Sequence, residues 1–187
     1  MKVIETQRLL LRPVCNEDLE NLFQVFADPV VMEFYPRTRT KQEIEEWIEE
    51  WQEYYVKYQK GFLACELKET GEFVGVSGVL SSINIEGQEE VEVGYLFIKK
   101  HWGKGFATES SEACLDYGFN TLGYERLVFF IHPHNDGSIH VAEKNGLKRE
   151  KEVAYREGRA LMFSITKEAF NARFLAGVGD FSTSGLV

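Results

Sequence analysis

A glycine pair at the start of a helix-forming segment is the strongest chemical signal in the chain. Gly103 and Gly105 follow an apolar segment, and glycine lets a backbone turn with positive φ and approach a ligand closely. Where such a turn opens a helix, the free N–H groups and the positive end of the helix dipole favour an anion. Position 108 is Thr and no Gly-Lys-Ser/Thr ending is present, so neither a dinucleotide fingerprint nor a P-loop is favoured. The pattern predicts a pyrophosphate-binding turn of another class.

The bulk composition bounds the kind of protein. The chain has 187 residues, 44% of them hydrophobic, which is enough for one substantial core. We predict one domain over residues 1–170 and a flexible C-terminal extension over residues 171–187, whose end is rich in Gly and Ser. The net charge of −9 argues against direct nucleic-acid binding, which needs clustered Lys and Arg. It is compatible with a cationic substrate and equally with the ordinary acidity of a cytoplasmic protein.

Cysteine usage and hydropathy favour a cytoplasmic protein that does not enter a membrane. The odd set of Cys15, Cys65 and Cys114 is typical of reduced thiols rather than of a disulfide framework. No apolar run approaches the roughly 18 residues of a membrane span, and the first residues do not resemble a signal peptide. His132 and His134 flank a proline with no third ligand nearby in the sequence, so we predict no metal site.

Apolar periodicity predicts how strands and helices alternate. A first helix is expected to be capped by Asn16, and a second starts at Thr40, where Thr40 and Glu43 form a capping-box pattern. After residue 61 the period changes to that of strands, and three of them form an antiparallel meander. A turn at residues 157–159 joins the last two strands. The predicted strands cover residues 9–13, 62–67, 73–80, 90–98, 126–131, 148–155 and 160–166, and the predicted helices residues 16–28, 40–55, 106–122 and 137–145.

This order predicts an α+β fold with a mixed sheet. Together with two motifs, it resembles the GNAT superfamily of acetyl-CoA-dependent N-acyltransferases, in which a mostly antiparallel twisted sheet is flanked by helices. The first motif is Lys-His-Trp-Gly-Lys-Gly at residues 100–105, with Lys where the family usually has Gln or Arg. The second is Asn-Asp-Gly-Ser at residues 135–138, followed by Val-Ala-Glu-Lys-Asn-Gly-Leu at residues 141–147. It is similar to the branch of ribosomal-protein N-terminal acetyltransferases.

The resemblance implies acetyl-CoA as the co-substrate. The strand before the glycine turn would offer backbone groups to the pantetheine arm, the turn would hold the pyrophosphate, and Asn135 would contact the pantetheine or order its loop. Gly94 is expected to mark a bulge that opens a cleft between the fourth and fifth strands, with close packing as the alternative. The implied cofactor-binding residues are Leu96, Phe97, Ile98, Gly103, Lys104, Gly105, Phe106, Ala107, Thr108, Asn135 and Lys144.

The expected reaction is direct attack of a neutral amine on the acetyl thioester, which needs a route for the amine proton. At pH 7 an α-amino group of pKa about 7.7 to 8.0 loses its proton for about 1 kcal/mol, whereas a lysine of pKa about 10.4 costs about 4.6 kcal/mol. A weak base therefore suffices for a protein N-terminus. Glu92 is the candidate base, since strand alternation sets it on the face opposite Val93 and Tyr95. Its alternative role is to order the sheet or bind substrate.

An acid for the leaving thiolate is harder to assign. Many superfamily members carry a tyrosine seven residues after the motif asparagine, and that position is Ala142. The ribosomal-protein branch resembles this chain in offering a serine, here Ser138, whose alternative role is a turn or helix cap. Some members of that branch carry a carboxylate before the final hairpin. This chain has Ala154 there, with Glu152 as a poor substitute.

We therefore predict an N-acetyltransferase that acts on a primary amine, first of all a protein N-terminal α-amino group. The alternatives are a small amine acceptor, such as a polyamine or an antibiotic, and a non-catalytic acetyl-CoA sensor. By the resemblance, Tyr35, Trp47 and Trp51 are expected at the acceptor pocket, although helix packing also explains the spacing of the tryptophans. The resemblance is also compatible with a homodimer.

Overall fold

One eight-stranded sheet organises the chain. The computed structural model describes residues 4–176, with side chains through residue 173. The strands are β1 Ile4–Glu5, β2 Leu9–Pro13, β3 Gly61–Leu67, β4 Phe73–Ile85, β5 Gln88–Phe97, β6 Arg126–Ile131, β7 Lys148–Tyr155 and β8 Gly158–Thr166. The helices are α1 Leu19–Phe26, α2 Lys41–Tyr58, α3 Phe106–Asp116, α4 Asp136–Lys144 and α5 Lys167–Ala176.

The strand order is β1-β2-β3-β4-β5-β6-β8-β7. Among the described strands β5 and β6 are the one parallel pair of neighbours, and every other pair is antiparallel. The prediction of a mixed, mostly antiparallel sheet flanked by helices is confirmed.

The sheet splits where β5 meets β6. These are the fourth and fifth strands predicted from the sequence, since β1 was not predicted. These two strands share a single register pair, Glu92 with Val128, whereas β5 pairs with β4 along its length. Beyond Glu92 the two strands separate, and their backbone groups no longer bond to each other. A gap therefore opens in the middle of the sheet, next to the largely buried carboxylate of Glu92.

The bulge that accompanies this split lies on β4 rather than at Gly94. Gly94 stays in register opposite Gly78, and the register shifts between Val79 and Ser82. A Cβ atom at Gly94 would lie 2.8 Å from Leu80 Cδ1. Gly94 is thus a close-packing glycine, as in the alternative interpretation.

Helices cover both faces of the sheet. The apolar side chains of α1 and α2 form one cluster with Val76 of β4 and Leu96 of β5. On the other face, α3, α4 and α5 pack on the alternate residues of the same strands, such as Val93 and Phe97. The loop after α1 and the N-terminus of α3 thereby approach the gap from opposite faces.

The helix starts follow local rules. The Thr40–Glu43 capping box is confirmed, with the Thr40 N–H donating to the Glu43 carboxylate at 2.8 Å. The first helix differs from the prediction. A short 3-10 turn over Asn16–Asp18 precedes it. Cys15 is the N-cap of this turn and Asp18 is the N-cap of α1, so Asn16 caps neither. Asp18 turns inward because Arg12 donates two hydrogen bonds of 2.7 Å to its carboxylate.

One predicted turn shifts in the C-terminal third, and α5 extends across residue 170. The final hairpin turns at Arg156 (φ 51°) and residue 157, one residue earlier than expected. The domain boundary predicted at residue 170 falls inside α5, where the Arg173 guanidinium donates to the Asn145 carbonyl at 2.5 Å. The remainder of the predicted extension, residues 177–187, lies outside the described residues. Among the described helices, none is long and apolar enough to cross a membrane.

Candidate active site

Two cavities meet at the gap between β5 and β6. One, of about 590 Å³, lies beside the β7–β8 turn and is called the hairpin cavity here. The other, of about 750 Å³, lies beside the N-terminus of α3 and is called the α3 cavity. Ligands held in the two cavities would come together where their walls are shared. These shared residues, called the junction, are Phe34, Tyr35, Tyr95, Leu96, Asn135 and Ser138.

The α3 cavity is built on the glycine-rich turn. Gly103 (φ 72°) and Gly105 (φ 83°) are both left-handed, and α3 begins at Phe106. A Cβ atom at Gly103 would meet no described atom within 4 Å, so the space in front of the turn is open. Arg8 holds the turn from outside by donating to the Lys104 carbonyl at 2.9 Å. Unbonded amides at the start of a helix, in front of an open cavity, are suited to a pyrophosphate.

The backbone groups of β5 divide between its two edges. The Ile98 N–H donates to the Val74 carbonyl at 3.0 Å, so it is directed to β4. Because successive residues of a strand point their backbone groups to opposite edges, those of Phe97 point to the gap and those of Leu96 do not. The Trp102 indole N–H donates to the Phe97 carbonyl at 2.7 Å. Within this segment, the Phe97 N–H is the donor that faces the gap.

The other predicted cofactor-binding residues have these positions. Asn135 is the N-cap of α4, and its side-chain oxygen accepts from the Ser138 N–H at 3.0 Å, so Asn135 orders its loop and Ser138 is not the cap. Ile98 and Lys104 do not line the α3 cavity. The predicted residues that do line it are Leu96, Phe97, Gly103, Gly105, Phe106, Ala107, Thr108, Asn135 and Lys144.

Glu92 is the carboxylate of the hairpin cavity. Its side chain is 13% exposed, and its Oε2 accepts a hydrogen bond of 2.7 Å from the Tyr155 hydroxyl. The Arg156 guanidinium is 4.0 Å from the same oxygen. Burial raises the pKa of Glu92, while the Tyr155 hydrogen bond and the Arg156 charge oppose the rise. The result is a carboxylate that is more basic than usual and stands at the start of the gap.

A tyrosine that the sequence did not single out lies at the junction. The Tyr95 hydroxyl is buried and has no hydrogen-bond partner within the described residues. Burial raises its pKa, and the Ser138 side chain is close enough to oppose the rise. Strand alternation places Tyr95 on the face opposite Glu92, which is why the sequence did not group them. Its position three residues after Glu92, on a strand next to the gap, is the signal that could have found it.

The far wall of the hairpin cavity is aromatic. Trp47 and Trp51 of α2 line it together with Tyr35, and Trp47 also packs in the core. Burial, followed by the charge of Glu92, raises the pKa of Tyr35 to about 12. Tyr35 is therefore a neutral hydroxyl at neutral pH.

Other residues named from the sequence lie elsewhere. Glu152 is exposed and pairs with Arg159, and it does not line either cavity. The His134 N–H donates to His132 Nδ1 at 3.3 Å. Among the described residues, no group of three or more His, Cys, Asp or Glu side chains is arranged to hold a metal ion.

Sequence comparison finds relatives along most of the chain. A family model described as "Acetyltransferase (GNAT) domain" matches residues 8–148. The Bacillus licheniformis protein named "Uncharacterized N-acetyltransferase p20" is 33% identical over 183 residues, which are 91% of this chain and 99% of that protein. The Bacillus subtilis protein named "Uncharacterized protein YkkB" is 39% identical over 149 residues, 79% and 86% of the two chains. The Escherichia coli spermidine N(1)-acetyltransferase is 24% identical over 146 residues, 78% and 75% of the two chains.

Structure comparison finds the same fold. An acetyltransferase from Agrobacterium tumefaciens matches with a TM-score of 0.76 and 26% identity, over 89% of this chain and 95% of the other. A ribosomal-protein-S5-alanine acetyltransferase from Vibrio fischeri matches with a TM-score of 0.73 and 14% identity, over 90% and 98%. The aminoglycoside acetyltransferase AAC(6')-Ib, in complex with coenzyme A, matches with a TM-score of 0.75 and 20% identity, over 88% and 98%.

Proposed function

The chain belongs to the acetyltransferase (GNAT) domain family and is an acetyl-CoA-dependent N-acetyltransferase, and we propose that its acceptor is an α-amino group, first of all that of a protein N-terminus. The observation that carries this proposal is Glu92, a buried carboxylate of raised pKa in the cavity that adjoins the α3 cavity. A carboxylate base suffices for an α-amino group, which needs only about 1 kcal/mol to lose its proton at pH 7.

Acetyl-CoA fits the α3 cavity by the chemistry of its walls. The pyrophosphate would accept hydrogen bonds from the amides between Gly103 and Thr108, and a pantetheine amide oxygen would accept from the Phe97 N–H. The exposed Lys144 at the cavity wall supplies a positive charge for a phosphate. With its diphosphate at α3 and its pantetheine along β5, the thioester would reach the junction.

Glu92 removes the proton of the attacking amine in this mechanism. The amine nitrogen attacks the acetyl carbonyl carbon, its proton passes to the Glu92 carboxylate directly or through a water, and the carbon–sulfur bond then breaks. Tyr155 keeps one carboxylate oxygen fixed by its 2.7 Å hydrogen bond, and the other oxygen would accept the proton of the amine.

Tyr95 and Ser138 are proposed to stabilise the negative charge that develops at the junction. The raised pKa of Tyr95 keeps its hydroxyl protonated, so it acts as a hydrogen-bond donor to the carbonyl oxygen or the sulfur. The leaving thiolate of coenzyme A, whose thiol has a pKa of about 8.5, can then take its proton from solvent. An oriented donor of this kind contributes about 10²- to 10³-fold to the rate.

The experiment is acetyl-CoA-dependent thiol release by the full chain. One peptide is used with a free N-terminus and one lysine, and a second is the same peptide with its N-terminus blocked. Spermidine, the substrate named for one relative, and an aminoglycoside complete the set. We expect release with the free peptide and little with the blocked one. Release only with spermidine or the aminoglycoside would contradict the α-amino proposal. Acetyl-CoA binding without release from any acceptor would contradict the catalytic assignments as well.

A further inference from the structure

We infer that Arg39 and Arg156 form a carboxylate-binding subsite in the hairpin cavity, so that the acceptor is an amine carrying a carboxylate close to its amino group. The inference rests on the proposed function and goes beyond it by naming the chemical class of the acceptor. Arg39 comes from the loop after α1 and Arg156 from the β7–β8 turn, and both line the same cavity.

Arg39 has a half-buried guanidinium that forms no ion pair within residues 4–173. Its backbone N–H donates to the Phe26 carbonyl at 2.9 Å, and its guanidinium carbon lies 5.5 Å from the centre of the Phe26 ring. The guanidinium makes no hydrogen bond or ion pair within the described residues. By contrast, the neighbouring Arg37 is exposed, lies outside the cavity and donates to Glu43 at 2.5 and 3.0 Å. A desolvated charge without a partner is costly unless a ligand supplies one.

Arg156 brings a second positive charge to this position. Its residue is held in a left-handed turn (φ 51°), and its guanidinium lies 5.0 Å from the centre of the Tyr155 ring. Burial lowers the pKa of Arg39, and the charges of Arg37 and Arg156 act in the same direction, while those of Glu43 and Glu50 oppose it. The guanidiniums of Arg39 and Arg156 are therefore close enough to repel each other. An anion bound between the two guanidiniums would offset both the burial of the Arg39 charge and its repulsion by Arg156.

Among the described residues, no carboxylate of the cavity forms an ion pair with Arg39. Arg159 is paired with Glu152, and the Glu92 carboxylate accepts from Tyr155 and lies 4.0 Å from Arg156. Glu50 and Glu157 line the cavity as exposed residues and form no ion pair with Arg39. The planar fork of an arginine matches a carboxylate with two parallel hydrogen bonds. With the amine at Glu92, the carboxylate would lie toward Arg39, whereas a polyamine would place a cation there.

The carboxylate can come from two sources, and the experiment separates them. Thiol release is measured with phenylalanine and phenylalaninamide, which differ in the α-carboxylate. It is also measured with two peptides that differ only in Glu or Gln at the second position. Each acceptor is tested with the unmodified chain, with Arg39→Gln, with Arg39→Lys and with Arg37→Gln as the matched control.

We expect at least one carboxylate acceptor to exceed its neutral partner by about tenfold or more in kcat/KM, the range of a charged hydrogen bond. Arg39→Gln should reduce that ratio to about one, Arg39→Lys should keep part of it, and Arg37→Gln should keep all of it. The pair that shows the preference identifies the source of the carboxylate. Equal rates for both members of each pair, or an equal loss for both in Arg39→Gln, would overturn the inference and leave the proposed function intact.

Product binding gives a second readout that does not need turnover. The N-acetylated forms of the same four acceptors are titrated into the full chain with coenzyme A present, and the heat of binding is measured. Tighter binding of a carboxylate form, lost in Arg39→Gln, supports the subsite even if the amine assignment fails. Equal affinities of carboxylate and neutral forms contradict it.

Discussion

At the scale of single residues, the role of Glu92 can be tested by removing its charge. Glu92→Gln should lower kcat by about 10²- to 10⁴-fold, the range of general-base catalysis, with little change in acetyl-CoA affinity. Because burial raises the pKa of Glu92, the acid limb of kcat at saturating acceptor should lie above the ordinary range of a glutamate, and activity should rise with pH through it. The measurement is the pH profile of thiol release.

Glu89→Gln is the control for this prediction, because Glu89 is an exposed residue of the same strand outside both cavities. It should leave the rate and the pH profile unchanged. A Glu92→Gln variant that retains the acid limb would assign that limb to another group.

Tyr95 offers a second test at this scale, in which rate and stability move differently. Its hydroxyl is buried without a partner within the described residues, and such a group costs about 1–3 kcal/mol in a folded protein. Tyr95→Phe should therefore leave the melting temperature unchanged or raise it, while kcat falls about 10²-fold or more through loss of the donor. Thermal unfolding and thiol release check the two parts. A parallel loss of stability and rate would indicate a structural role instead.

At the scale of elements, the turn before α3 can be tested with a matched pair of glycines. Gly103 (φ 72°) and Gly87 (φ 91°) are both left-handed, and a Cβ atom at either would meet no described atom within 4 Å. Alanine at each position costs about 1–2 kcal/mol of backbone strain. Gly103→Ala should also weaken acetyl-CoA binding about tenfold or more, because its methyl group enters the cradle and displaces charged hydrogen bonds.

Gly87 lies in the β4–β5 turn, away from both cavities. Gly87→Ala should therefore cause a similar shift in melting temperature and no change in acetyl-CoA affinity, measured by calorimetry. Equal affinity of the two variants would contradict the pyrophosphate assignment.

The start of α1 is held to β2 by an ion pair between Asp18 and Arg12. Asp18 is 2% exposed, and although burial raises its pKa, the hydrogen bonds from Arg12 and the Cys15 amide outweigh this and lower it. Asp18→Asn should cost about 3–5 kcal/mol at pH 7, the range for breaking a buried pair. A carboxylate with a depressed folded pKa stabilises above its unfolded pKa of about 3.9 and loses this effect as pH falls below it. Urea unfolding at pH 7 and pH 3 measures the free energy of unfolding of the unmodified chain and of Asp18→Asn. The difference between these two free energies should be smaller at pH 3.

At the scale of the whole molecule, two cavities that meet at one junction predict a ternary complex. None of the three cysteines lines either cavity, and burial raises the pKa of Cys15 to about 11 and of Cys114 to about 12. With no activated thiol at the junction, the acetyl group should pass directly to the amine. Double-reciprocal plots of the initial rate, with one substrate varied at several fixed concentrations of the other, should intersect. Mass spectrometry after incubation with acetyl-CoA alone should find no acetylated chain. Parallel plots would indicate a covalent intermediate.

The sequence by itself determined the features that depend on neighbours along the chain. The glycine turn before α3, the Thr40 capping box, the meander and the placement of Glu92 on one face of β5 follow from local spacing, because helix caps and strand alternation involve residues one to four positions apart. The order of these elements indicated the α+β fold, and together with the two motifs at residues 100–105 and 135–147 it indicated the family.

Only the tertiary structure decided which polar groups meet. Tyr155 and Glu92 are 63 positions apart and 2.7 Å apart in space, and Arg39 and Arg156 reach one cavity from two different elements. The split of β5 from β6 after Glu92 places Tyr95 and Ser138 at the junction. Sequence periodicity gives the face of a strand on which a side chain lies, but the distance across a gap depends on how the sheet separates and how the helices pack on it.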